Sequence, residues 1–84
     1  MATRFVIVRR AGRHAIVRVL PSGDAAGYDA VADREQQQVH FQIHRDTPHA
    51  TAIDKAFRDS RQYRSLDDAV AAADSVGREV EVLA

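Results

Sequence analysis

The sequence predicts an α+β fold: a small single domain, mostly antiparallel sheet, with two helices on one face. Three observations carry this. Two β-branched runs near the N-terminus flank a short connection containing glycine. Two later stretches, about 48–59 and 66–76, place apolar residues at helical spacing. A stretch near 39–44 and another near 79–83 alternate apolar and polar residues as half-buried strands do.

The first run is Phe5-Val6-Ile7-Val8 and the second spans His14 to Leu20. Gly12 between them can take a positive φ, so the pair reads as a β-hairpin with Ala11-Gly12 as its turn. In that register Ile7 faces Ile16 and Val6 faces Val17. One face of the ribbon then carries Val6, Val8, Ala15 and Val17, and the other Phe5, Ile7, Ile16 and Leu20, interrupted by Arg9 and Arg18. Both faces are partly apolar, and a two-layer domain covers only one. The expectation is therefore a second subunit or partner against the ribbon, with Phe5, Ile7, Ile16 and Leu20, or the opposite set Val6, Val8 and Val17, at the contact.

Residues 21–38 begin as a loop, Pro21-Ser22-Gly23-Asp24-Ala25-Ala26-Gly27. From Tyr28 to Gln38 the pattern leaves a short helix, a ragged strand and a mobile loop all open, with Tyr28, Val31 and Ala32 as the apolar stripe if helical. At 39–44 the alternation predicts Val39, Phe41 and Ile43 inward and His40, Gln42 and His44 outward. Thr47-Pro48 reads as an N-cap followed by a proline at the first helical position. Ser65-Leu66-Asp67-Asp68 reads as a capping box opening the last helix, closed by Gly77 at the C′ position. Val80 and Val82 fall on one side of the final strand, with Glu79 and Glu81 on the other.

Charge is balanced overall, with 12 basic and 12 acidic residues, but unevenly placed. The first twenty residues hold Arg4, Arg9, Arg10, Arg13 and Arg18 without an acid; the last twenty hold Asp67, Asp68, Asp74, Glu79 and Glu81 against Arg78. Such a split is satisfied within one fold, between copies, or by a partner. A chain of 84 residues allows one domain over 1–84 and a small core, here diluted by fifteen alanines. With no cysteine, disulfides, thiolate metal sites and cysteine nucleophiles are excluded, and a reducing cytoplasm is the expected compartment. No apolar stretch approaches membrane-spanning length. Arginine outnumbers lysine eleven to one, which points to GC-rich coding and a bacterial, phage or mobile-element source.

Motifs for chemistry are absent. His40, His44, Asp46 and His49 cluster in sequence, but on a strand His40 and His44 stand about 13 Å apart, too far for one ion. No nucleophile elbow, phosphate loop or zinc-protease motif is present. Asp67 and Asp68 answer the helix dipole. The expected function is a non-catalytic, homodimeric protein-interaction module, of accessory or inhibitor type, without cofactor or metal and away from membranes. Arg9, Arg10, Arg13 and Arg18 are its candidate binding residues. The alternative is nucleic-acid binding through the arginine-rich hairpin, with Tyr63 between Arg61 and Arg64 as the aromatic among bases.

Overall fold

The computed structural model describes residues 2–83. The elements run β1 (Arg4–Arg10), β2 (Arg13–Val19), β3 (Ala25–Ala26), α1 (Ala30–Arg34), β4 (Ile43–His44), α2 (Ala52–Asp59), β5 (Gln62–Tyr63), α3 (Leu66–Ser75) and β6 (Val80–Val82). One sheet runs β4-β3-β2-β1-β6, with β5 also on β2. Its pairings are antiparallel except that β6 runs parallel to β1. The class is α+β, as the sequence predicts.

The hairpin forms in the expected register. Arg10 faces Arg13, Ile7 faces Ile16 and Val6 faces Val17. Ala11 and Gly12 make the turn with φ of 51° and 75°. Two positive φ values give the turn whose twist matches the flanking strands.

The helices do not share a face. Val6, Val8, Ala15, Val17 and Val19 pack against Ala52, Ala56 and Phe57 of α2. Ile7 and Ile16 pack against Ala69 and Ala73 of α3, with Tyr28 and Ala30 beside them. Side chains alternate along a strand, so these two clusters lie on opposite sides of the ribbon. The reason is the ribbon itself: with both sides apolar, each needs a cover. Alanine makes close cover possible, since Ala52, Ala56, Ala69 and Ala73 are all 0% exposed.

This corrects the expected subunit contact. Ile7 and Ile16 are each 1% exposed within their own chain, under α3. Burying such side chains stabilises the fold by about 1.5–3 kcal/mol each. Phe5 is half-buried in the same cluster and Leu20 is half-buried in the turn after β2, where its N–H donates to the Asp24 carbonyl. The opposite set, Val6, Val8 and Val17, is likewise buried, under α2.

Residues 21–38 resolve into β3 and the short helix α1. Asp29 caps α1 by accepting from the N–H groups of Val31 and Ala32. The stretch 39–44 is strand only at Ile43–His44, because its partner β3 is two residues long. Its sidedness holds only in part: Phe41 is half-buried and His40 and Gln42 are exposed as expected, but Ile43 is 55% and Val39 46% exposed, and His44 turns inward to the Asp59 carboxylate at 2.6 Å. The helix expected over 48–59 starts at Ala52. Thr47 and Ala50 close a turn instead, and the Asp46 carboxylate accepts from Ala52 N–H at 3.1 Å.

The last helix follows its sequence signals. Ser65 Oγ accepts from Asp68 N–H at 3.1 Å. Gly77 has φ 69°, its N–H donates to Asp74, and Arg78 N–H donates back to Ala73 at 3.0 Å, the six-to-one bond of a Schellman ending.

Ala11 holds a left-handed conformation that alanine tolerates poorly, whereas asparagine adopts it readily. Ala11→Asn is expected to stabilise the protein by about 0.5–1 kcal/mol, raising the thermal midpoint by several degrees. A lowered midpoint in circular-dichroism melts contradicts the turn assignment.

Candidate functional site: an arginine and aromatic cleft

Arg18 stands opposite Phe5 of β1 and Ala26 of β3. Its Nε donates to the Gly27 carbonyl at 3.0 Å, and its guanidinium lies 5.8 Å from the centre of the Phe41 ring. Gly27 is required there by packing. A Cβ at that position would sit 2.9 Å from the Phe41 ring and 2.9 Å from Asp59 Cβ. The glycine thus lets Phe41 seat against the β3 end of the sheet, and Phe41 in turn helps fix the arginine. Among the described residues, no carboxylate pairs with Arg18.

The facing wall is built by Tyr28, Asp33, Arg78 and Phe5. Tyr28 N–H donates to Ser60 Oγ at 3.0 Å, and that hydroxyl donates to the Ala56 carbonyl at 2.7 Å, tying the start of α1 to the end of α2. The Tyr28 hydroxyl donates to Asp33. Arg78 Nε donates to the same carboxylate at 3.3 Å and lies 4.8 Å over the Phe5 ring. Phe5 and Tyr28 meet edge to face with centroids 5.0 Å apart. These groups, with Asp29, Gln37 and Val39, enclose a cleft of about 190 Å³. A second hollow of about 200 Å³ shares Arg18, Val39 and Phe41 and adds Leu20 and Ile43. Arg18 therefore stands between two small hollows with an aliphatic rim.

Burial, and then the bond to Asp33, push Tyr28 up to about 12. The Tyr28 hydroxyl in turn holds the Asp33 carboxyl below its usual range, opposed by burial and assisted by Arg78 and, through its charge, by Arg18. Burial also raises Tyr63. Tyr28 stays a donor and Asp33 an acceptor across the neutral range. Asp33 adds stability that is present above its unfolded value, about 3.9, and lost as pH falls through its lower folded value. Tyr28 adds stability present below its unfolded value, about 10, and lost as pH rises through its raised one.

The candidate binding arginines separate. Arg9 and Arg13 are exposed near the hairpin tip. Arg10, also there, pairs with Asp54 at 2.8 Å. Arg18 lies toward the other end of β2, roughly 16 Å from Arg13 by strand rise. Tyr63 is half-buried opposite His14, its hydroxyl and the His14 Nδ1 both buried without a partner, so it is no exposed stacking platform. The charge split is partly met within the chain by Arg4 and Glu81 at 3.1 Å. Among the described residues, no three histidine or acidic side chains group as metal ligands do.

Sequence reading grouped Arg18 with Arg9, Arg10 and Arg13 as candidate binding residues, set Phe41 inward, and missed Tyr28, Asp33 and Arg78 as one network. No sequence pattern joins residues this far apart. Comparison with known protein families, curated proteins and solved structures finds no match. No helix among the described residues is long and apolar enough to cross a membrane.

The chain has two tyrosines and no tryptophan, so tyrosinate absorbance reports them cleanly. In an alkaline titration neither is expected to ionise at the ordinary value near 10. Asp33→Asn is expected to move the later midpoint downward. A full-amplitude rise near pH 10 in the native protein, or a later midpoint unmoved by Asp33→Asn, contradicts the network.

Proposed function

We propose that the protein is a non-catalytic interaction module that binds an acidic side chain and an adjacent apolar one on a partner protein, using the Arg18 cleft. The observation that carries this reading is the state of Arg18. Its guanidinium is anchored by Gly27 and Phe41 and has no carboxylate in ion-pair contact, the nearby Asp33 being held by Tyr28 and Arg78. Such a group loses little freedom on binding, and guanidinium matches carboxylate geometry. Around it, Val39 and Ile43 are exposed and Leu20 and Phe41 half-buried. Arginine and aromatic side chains within an aliphatic rim are the composition of energetically dominant interface residues.

Binding is favoured over catalysis because the acids lining the cleft are occupied. Asp33 is held by Tyr28 and Arg78, and Asp29 caps α1. The hairpin tip supports nucleic-acid binding less well. Asp54 holds Arg10, and every aromatic ring is buried or half-buried. A second copy is a weaker choice of partner, since both faces of the ribbon are already covered.

Selection from a random peptide library displayed on phage tests the reading. Enriched sequences are expected to place Asp or Glu beside Leu, Ile, Val or Phe. Arg18→Ala is expected to weaken their synthetic peptides roughly ten- to a hundredfold, the range for a lost charged hydrogen bond, with Arg13→Ala neutral. Selection of basic sequences, no enrichment, or equal binding to Arg18→Ala overturns it.

A further inference from the structure

We propose that the outer edge of β6 receives an extended segment of a partner protein alternating basic and apolar side chains, which adds one strand to the sheet. This surface meets the Arg18 cleft only at Arg78, which lines both. β6 ends the sheet, with β1 on its inner side. Leu83 N–H donates to the Ile7 carbonyl at 2.9 Å. Backbone groups alternate sides along a strand, so Glu81 and Leu83 direct theirs toward β1, and Val80 and Val82 direct N–H and C=O outward. That is the row of groups an added strand pairs with.

The same two valines put their side chains on the α3 face. Val80 packs into the cluster around Ile7, while Val82, opposite Ile7, is 55% exposed. Beside the edge runs a groove of about 690 Å³ lined by Val70, Val80, Val82, Asp74, Gly77, Arg78 and Glu79. Its charge selects the occupant. Asp74 and Glu79 have no ion-pair partner among the described residues. Arg78, the base in the groove, is engaged by Asp33 and Phe5. A second copy pairing β6 antiparallel to β6 would set Glu79 and Glu81 against their own kind, and like charges across strands repel. An arginine- or lysine-bearing strand meets the opposite situation. The other sheet edge offers no equivalent: β4 is two residues long and leads into Arg45-Asp46-Thr47-Pro48.

The test uses two labelled synthetic peptides, one alternating arginine and valine, the other with glutamate in place of arginine. Fluorescence anisotropy with the intact protein is expected to show the arginine peptide binding roughly tenfold tighter. Amide hydrogen exchange is expected to slow at Val80 and Val82 when it is bound. Val82→Pro deletes an outward donor without touching a bond to β1, and is expected to weaken binding roughly three- to tenfold. The double change Asp74→Lys and Glu79→Lys is expected to reverse the preference, and decides the matter if the proline variant does not fold. Equal binding of both peptides, binding without protection at Val80 and Val82, or indifference to the charge reversal overturns the proposal.

Discussion

Everything in this fold follows from a ribbon that is apolar on both sides. A hairpin with valines on one face and isoleucines on the other cannot be stable with a single cover. The chain answers by splitting its helices, α2 beneath the valines and α3 beneath the isoleucines. The sheet becomes the middle of three layers. A core with few bulky residues permits this because the helices approach through alanine. Their backbones come near the strands, and Phe57, Tyr28 and Ile53 fill what alanine leaves. The covering that a second subunit was expected to supply is supplied by the chain's own C-terminal half.

The cleft is a by-product of that layering. Between β2 and α2 the chain must leave the sheet, turn over its end and come back. Gly27 is the pivot, where the main chain meets Phe41 and Asp59 at closest approach. Directly after it, Tyr28 performs two tasks. Its backbone binds Ser60 at the end of α2, and its ring and hydroxyl reach Phe5 and Asp33 across the α3 face. Arg78, released from α3 by the Gly77 ending, lands on the same carboxylate. The basic front is stitched down at separate places, Arg4 to Glu81 of the acidic tail and Arg10 to Asp54 of α2. Both pairs are about half exposed, so each is worth little energy and serves mainly to hold register.

Legibility in the sequence tracks how local each determinant is. The hairpin register was readable because its turn and both arms lie within seventeen residues, Arg4 to Leu20. The last helix was readable because Ser65, Asp68 and Gly77 act within their own ends. The stretch 39–44 was not. Its alternation is real, but a strand extends only where a partner does, and β3 supplies two residues. His44 then turns inward because Asp59 is there to receive it, which a pattern of hydropathy cannot contain. The start of α2 was misplaced for the same reason: the group that caps Ala52 is Asp46, outside the helix, while Thr47 is engaged with Ala50. The cleft joins positions 5, 18, 28, 33, 41 and 78, so only the tertiary arrangement reveals it.

The exposed apolar residues also have a geometric cause. α2 has 8 residues and α3 has 10, giving lengths of about 12 and 15 Å. Five strands side by side put the outermost pair about 19 Å apart. On the side of Val6, Val8 and Val17, α2 reaches the edge of the sheet, where His44 of β4 meets Asp59. On the other side α3 packs over Ile7, Ile16 and Tyr63. The pairings put Ile43, through Ala26 and Arg18, and Val82, through Ile7, on that same side, and each is 55% exposed where α3 gives no cover. A longer α3 would extend the cover at little cost in propensity, given how readily alanine extends a helix. The chain instead closes α3 with the Gly77 ending, and that ending brings Arg78 onto Asp33. The termination that leaves this face short of cover is therefore also the one that completes the network facing Arg18.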